Sequence, residues 1–380
     1  MMEKTERERK NLVRKSRRVV VKIGSSALTA GTRNLNRKIV FGLADDIARV
    51  RKSGREVILV TSGAIASGTG KLKLKGRPRT IPEKQAAAAV GQVQVMNLYI
   101  EAFARHKIRV AQILLTHADL ADRTRFLNAR AAVQTLLRLK VLPIVNENDT
   151  VAVEEIKFGD NDNLAAHLTN LVKADFLVIL SDIDGLFSAD PRQNRDARLV
   201  PVLLLGEEKV RLSGLGKANP LGTGGIRSKI EAATRATRFG VPVVIANGLK
   251  PGTLRKVMAG EPVGTFCPPQ SRRLQGRKSW IAYNLKPAGT ILVDAGAETA
   301  LREKGKSLLP SGIVGVEGRF PIGSPVRILN EKRQEFARGL TAYGSEEVKK
   351  IGGHNTQDIE RILGYKYRDE VIHRDDLVII

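Results

Sequence analysis

Two lysines, a knot of acids and amides, and several hydroxyl- and glycine-bearing turns are the parts of this 380-residue chain whose types and spacing can do chemistry. Lys22 interrupts the apolar run Val19-Val20-Val21, and Gly24, Ser25 and Ser26 follow at once. Such a turn bares backbone N–H groups and hydroxyls able to cradle a phosphate, to which Lys22 brings a mobile positive charge. Taken alone, the same lysine reads more readily as an edge-strand residue with its head in solvent. "VTSGAIASG" (60–68) ends a second apolar run in the same way, with Ser62 and Gly63 as a phosphate turn or as a simple helix cap. "SDIDGLFSADP" (181–191) places Ser181, Asp182 and Asp184 where they can hold a ribose, help place Mg²⁺, or merely form turns. "GLGKANPLGTGGIRSKIEAA" (214–233) is a glycine-rich loop opening a helix, with Thr223, Gly224 and Gly225 freeing backbone donors and Lys229 one turn inside, an arrangement suited to a polyphosphate. Asp160, Asn161, Asp162 and Asn163 sit side by side before an apolar helix, where a cap needs only one of them. Neither a Walker A pattern nor a complete G-x-G-x-x-G is present, so any nucleotide is held by another architecture.

The elements that must position these residues alternate. Apolar, β-branched runs at 18–24, 56–63, 110–116, 141–147, 175–182 and 241–247 predict strands buried on both faces. Helical patterns lie between them, at 36–54 with Gly54 as a plausible C-cap, at 82–107 and at 128–140. This rhythm predicts an α/β fold, an open and mainly parallel sheet sandwiched by helices. A Pro-, Arg- and Gln-rich stretch at 267–287 reads as a linker, and the short glycine-punctuated strands after it as a small β-rich barrel. The expected division is a basic extension (1–17), an α/β domain (18–266), the linker (267–287), the β-rich domain (288–367) and a tail (368–380). The basic stretch at 63–83 reads as a long loop that either covers a substrate site or lies solvated on the surface.

Composition narrows the function classes. Sixty-four Lys and Arg against 39 Asp and Glu give a net charge of +25, a surface that attracts nucleic acid, nucleotides or acidic metabolites. Aromatics at 4% argue against a stacking platform for single strands. Cys267 is the only cysteine, which excludes an intramolecular disulfide, and the five scattered histidines have no metal-ligand spacing, so no metal site is expected. No apolar run is long enough to span a bilayer and the first residues lack a secretory pattern, so a cytoplasmic protein is expected.

"VVVKIGSS", "VTSGAIASG", "NENDTVAVEEIKFGDNDNLAAH", "LSDIDGLFSADP" and "GTGGIRSK" occur in the order found in the amino acid kinase family, which this chain resembles from residue 18 onward. "NEND" followed by "GDNDNL" makes it most similar to the branch that phosphorylates the γ-carboxylate of L-glutamate in the first step of proline biosynthesis. The segment from 288 to 367 resembles the PUA domain often found on that branch. The resemblance implies ATP phosphate contacts for Lys22, for Thr223, Gly224, Gly225, Ile226, Arg227 and Ser228, and for Lys229. It implies nucleotide contacts for Ser181, a position often threonine in the family, and for Asp182. Ser62, Asp149 and Asn161 would contact glutamate, and Asp162 would hold the two catalytic lysines, Lys22 and Lys229, in place. Asp160 reads equally as a cap or as a substrate contact. The cofactors implied are ATP and Mg²⁺, the feedback inhibitor L-proline, and the assembly a homo-oligomer, dimer or tetramer, with no membrane association. Two competing readings are a kinase for another small amino acid or carboxylate, and an RNA-binding protein acting through the PUA segment.

Overall fold

The computed structural model describes residues 2–32, 34–74, 76–152, 161–191, 193–205, 225–270, 281 and 285–380. The chain divides into two compact units, 1–273 and 274–380.

In the first unit all six expected strands form, trimmed by a residue or more at their ends: β1 (Arg18–Ile23), β2 (Glu56–Val60), β3 (Val110–Leu115), β4 (Leu142–Glu147), β5 (Phe176–Ser181) and β6 (Val243–Asn247). A further strand, β7 (Thr265–Cys267), completes a sheet of order β3-β4-β2-β1-β5-β6-β7. Strands β1 to β6 run parallel, and β7 pairs antiparallel with β6, Cys267 lying across from Val243. Three residues are too few to show a period, which is why β7 is invisible in the sequence and why Cys267, expected to open a linker, is a sheet residue. Every residue of β4 and β5 is buried, as continuous apolar runs in a parallel sheet require.

Helices cover the sheet. Among the described residues of this unit they are α1 (Met2–Lys15), α2 (Ser25–Thr29), α3 (Arg37–Lys52), α4 (Ala64–Lys71), α5 (Ile81–Ala104), α6 (His117–Ala121), α7 (Arg123–Arg138), α8 (Asn161–Val172), α9 (Ile226–Arg238) and α10 (Thr253–Met258). Helix α1 is the basic extension, and it is packed: Val13 joins the core, while Arg9 donates to the Val263 carbonyl at 2.8 Å and lies over the Phe266 ring. Burial lowers the Arg9 pKa to about 10. Much of the segment expected as a loop at 63–83 is helical, in α4 and the start of α5. Thr80 and Glu83 form a reciprocal capping box at the start of α5, with Pro82 in its first turn. Glycine explains why the two helices can touch. A Cβ added at Gly68 would sit 1.8 Å from the Ala87 carbonyl oxygen, and one at Gly91 1.8 Å from that of Ala64. The α4 and α5 backbones are thus in direct contact, and α4 is the helix that follows the Ser62–Gly63 turn.

The second unit is a five-stranded sheet of order β12-β11-β10-β8-β9, built from β8 (Gly289–Val293), β9 (Ile313–Glu317), β10 (Pro325–Leu329), β11 (Glu335–Leu340) and β12 (Leu377–Ile379). It has its own core, including Ile291, Phe336 and Tyr343. Residues 377–379, expected in a tail, pair with β11 as an edge strand.

Gly91→Ala should lower unfolding free energy by about 3 kcal/mol or more, since a backbone oxygen cannot move aside as a side chain can. Gly42→Ala, in α3 with nothing within 4 Å of the added carbon, should instead be neutral or stabilising by about 0.5–1 kcal/mol. Urea denaturation of the two variants checks the contrast.

Candidate active site

Lys22 lies in β1, and β1 is the middle of the sheet: the residue pairs across to Val60 on β2 and to Ile179 on β5. An edge-strand lysine is thereby excluded. Its side chain runs out of the carboxyl end of the strand, 5% exposed, into a cleft of about 980 Å³ at the carboxyl ends of the strands. Open α/β sheets bind ligands at this edge because the turns after the strands leave N–H groups and side chains unpaired. Gly24, Ser25 and Ser26 line the cleft beside Lys22, and Ser62 and Gly63 line it after β2. Gly63 holds φ at +96°, a conformation that a side chain would strain, so the turn into α4 is built around glycine.

The knot before α8 supplies the centre of the site. Asp162 is 1% exposed, and its two carboxylate oxygens are divided between cations on either side. Lys22 Nζ pairs with Oδ1. Lys229 Nζ reaches Oδ2 at 3.3 Å, and Ser228 Oγ donates to the same oxygen at 2.8 Å. Burial alone would raise the Asp162 pKa, but the charges of Lys22 and Lys229 and the hydrogen bonds from Lys22 and Ser228 outweigh it. The carboxyl is held well below the usual carboxylate range. Two positive charges and one negative leave this buried cluster with a net positive charge at the floor of an open cleft.

Beside it Asn161 makes a different use of its neighbours. Its Nδ2 donates to the Thr61 carbonyl at 2.7 Å, to Ser62 Oγ at 2.8 Å and to Asn146 Oδ1 at 2.9 Å. All of its donor capacity is spent on the protein, and its buried Oδ1 has no partner among the described residues. Asp149 and Glu147, from the end of β4 and the turn after it, line the same cleft. The cleft therefore holds both cationic and acceptor side chains, which suits a ligand carrying both an anionic and a cationic group.

Ser181 and Asp182 line the cleft after β5, with Ser181 Oγ donating to Asp182 Oδ1 at 3.0 Å. Asp184 is turned to Lys250 at 2.6 Å and Asn247 at 2.9 Å. Gly225 caps α9, whose first turn carries Ile226, Arg227 and Ser228. The Arg227 side chain is 86% exposed and paired with Glu231. Ser228 spends its hydroxyl on Asp162 and on the Gly225 carbonyl. Thr223, Gly224 and Asp160 lie outside the described residues. Gln92, from α5, was not singled out in the sequence: its Oε1 accepts from Asn146 Nδ2 at 2.7 Å. A lone glutamine in an alanine-rich helix carries no signal for such a role. Asn146 had one, as the first residue of "NEND".

Helices α8 and α9 are clipped twice. Asp162 meets Ser228 and Lys229 at their first turns, and His167 Nε2 accepts from Arg235 Nη1 at 3.0 Å further along. The helices therefore run side by side in the same direction. His167 is buried, with the His117 ring edge-on at 4.9 Å. Burial, and after it the charges of Arg235 and His117, hold its imidazole well below the ordinary histidine range, so it stays neutral.

The profile of the amino acid kinase family matches residues 17–247, and that of the PUA domain matches residues 289–363. The chain is 51% identical over 372 residues to the glutamate 5-kinase of Pelobacter propionicus, covering 98% of this chain and 100% of that protein. It is also 51% identical over 372 residues to that of Geobacter sulfurreducens, with the same coverage, and 47% identical to that of Myxococcus xanthus over 368 residues, 97% of each chain. The chain belongs to the glutamate 5-kinase family. Membership in the amino acid kinases implies use of ATP. No described helix is long and apolar enough to cross a membrane.

Asp162→Asn leaves Lys22 and Lys229 buried together without a counter-charge, and turnover should fall by about a thousandfold while the protein also loses stability. Steady-state kinetics and thermal unfolding of the same preparation check both effects. The His167 shift has a definite sign. Its folded pKa lies below the unfolded value of 6.5, so the unfolded chain takes up the proton first as pH falls. Its contribution is complete above about pH 6.5 and declines below it, by at most about 1.4 kcal/mol per pH unit. Urea titrations from pH 7.5 to 5.5 should show a decline that His167→Gln flattens.

Proposed function

We propose that this protein transfers the γ-phosphoryl group of ATP to the γ-carboxylate of L-glutamate, forming L-glutamyl 5-phosphate. The observation that carries the reading is the buried Lys22–Asp162–Lys229 cluster opening onto a cleft that Asp149 and Asn161 also line. Transfer to a carboxylate brings two anions together, so catalysis depends on positive charge and positioning more than on a base. Glutamate's side chain, with a pKa near 4.3, is already ionised at neutral pH and needs no proton removed. Lys22 and Lys229 approach the transferring group from two sides, where their charge counters that which develops on its oxygens. Asp162 prevents the two ammonium groups from repelling each other out of position. The amino acid's other end fits the remaining groups: Asn161 Oδ1 and Asp149 accept from the α-ammonium, and Ser62, whose Oγ accepts from Asn161, has its own hydrogen to donate to the α-carboxylate.

On the nucleotide side we assign Lys22, Lys229 and the loop from Thr223 to Ser228 to the phosphates, and Ser181 and Asp182 to the nucleoside. Mg²⁺ carried with the nucleotide would supply further neutralisation of the phosphate charge. Among the described residues no group of three or more His, Cys, Asp or Glu could hold a metal ion. L-Proline shares the ammonium and α-carboxylate of glutamate but lacks its γ-carboxylate, so the same head-group contacts suit it as a feedback inhibitor. A dimer or tetramer built by the first unit and a cytoplasmic location complete the reading. The RNA alternative rests on net charge and on the PUA profile alone.

With Mg²⁺ and ATP, L-glutamate should give an acyl phosphate trapped by hydroxylamine as the hydroxamate. Aspartate is a methylene too short and N-acetylglutamate has no ammonium, so both should react at least about a hundredfold more slowly. Turnover of either without glutamate turnover overturns the substrate assignment. Lys22→Ala should cut kcat about a thousandfold with a much smaller effect on the unfolding midpoint.

A further inference from the structure

We propose that Gln92, on α5 and outside the cleft lining, is a positioning residue for substrate binding, because it closes the amide chain whose direction the Thr61 carbonyl imposes on Asn161. The inference rests on the glutamate reading given above and adds to it a residue that touches no ligand.

Amide groups are directional: each has one end that donates and one that accepts, and a chain of them has only one consistent order. Here the order starts at the Thr61 carbonyl, which can only accept. Asn161 must turn Nδ2 toward it, at 2.7 Å. The group 2.9 Å from that nitrogen must then be an acceptor, and it is Asn146 Oδ1. Asn146, 1% exposed, is therefore obliged to turn its own Nδ2 the other way, where Gln92 Oε1 receives it at 2.7 Å. Each link is compatible with the next only in this direction.

The direction decides which end of Asn161 is left over. With Nδ2 engaged, that end is Oδ1, a buried acceptor with no partner among the described residues, of the type suited to an ammonium. Three acceptors share the two hydrogens of Nδ2, so Ser62 Oγ and Asn146 Oδ1 compete, and the place of Asn146 governs how firmly Ser62 is held. Gln92 is the last link. A donor put in its place would face Asn146 Nδ2 as one donor against another. Asn146 would then turn over, bring its Nδ2 against Asn161 Nδ2, and unsettle the acceptor that the substrate meets.

Helix α5 is suited to hold this link still. Tyr99, two turns beyond Gln92 on the same face, has its hydroxyl 2.9 Å from Thr61 Oγ1 and is 1% exposed. Gly91, next to Gln92, is the residue in backbone contact with α4. One helix therefore buttresses the Ser62 turn, Thr61 and Asn146 together.

Gln92→Glu and Gln92→Lys test the idea, because they keep a long polar side chain but present opposite polarities to Asn146. Gln92→Glu keeps an acceptor there, and KM for glutamate should stay within about threefold of the unaltered protein. Gln92→Lys presents only donors, and KM for glutamate should rise by about tenfold or more, with kcat and KM for ATP changed by less than about threefold. Simple charge attraction predicts the reverse order, since an added lysine would draw in an anionic substrate and an added glutamate repel it. Equal KM values, or a higher value for Gln92→Glu, overturn the proposal. KM does not depend on the folded fraction, so partial loss of active protein leaves the comparison intact. The unaltered protein, assayed alongside, separates the two levels of inference: no glutamate-dependent hydroxamate overturns the substrate reading, whereas normal turnover with indifferent Gln92 variants overturns only the relay.

Discussion

The structure depends on one buried carboxylate between two buried ammonium groups. Removing Lys22 and Lys229 from water is unfavourable, and their mutual repulsion adds to the cost in a medium less polarisable than water. Asp162 offsets both by giving each lysine its own oxygen, with Ser228 as a further donor. In the proposed reaction, the net positive charge that remains is what an anionic transition state needs, set before any substrate arrives. A mechanism built on preset charge demands that three side chains from three elements stay fixed, and much of the first unit can be read as meeting that demand.

Lys22 is held by the most central strand of the sheet, in which every residue after Arg18 is buried. Asp162 and Lys229 stand at the first turns of α8 and α9, and the His167–Arg235 contact further along keeps those helices in register. The histidine serves there as a neutral acceptor, and the same burial that keeps it neutral makes the clip sensitive to acid. On the other side of Lys22, the turn carrying Ser62 is set by Gly63 and by the glycine-mediated contact of α4 with α5. The groups around Lys22 are thus fixed by helices packed on one sheet.

Much of this was legible in the sequence. Six strands and the principal helices of the first unit follow from apolar runs and helical periodicity, because burial on both faces of a parallel sheet leaves so plain a mark. The exception is β3, expected to be buried on both faces but, as an edge strand, mostly half-buried with Gln112 exposed. Where reading failed, the physical reason is local. β7 and β12 are three residues each, too short for a pattern, and their pairing partners are set by the folded chain. The 63–83 segment looks like a loop because it is rich in glycine and lysine, yet two of its features, Gly68 and the Thr80 capping box, belong to helices. Helix α1 looks like a solvated extension, since its buried side chains are few and charged residues surround them.

The sequence by itself determined the fold class, the ends of the strands where chemistry gathers, and the types of residue there: Lys22, Ser62, Asn161, Asp162, Ser181 and Lys229. These are statements about the chain read locally, and local composition and periodicity carry them. Tertiary structure alone decided which of those residues meet. That Asp162 divides its two oxygens between lysines 140 and 67 positions away, that Ser228 serves the carboxylate while Arg227 faces solvent, and that Gln92 stands behind Asn161 all depend on distances closed by packing. No period or motif in a linear chain records the direction in which an amide donates; that is settled only when its neighbours are in place.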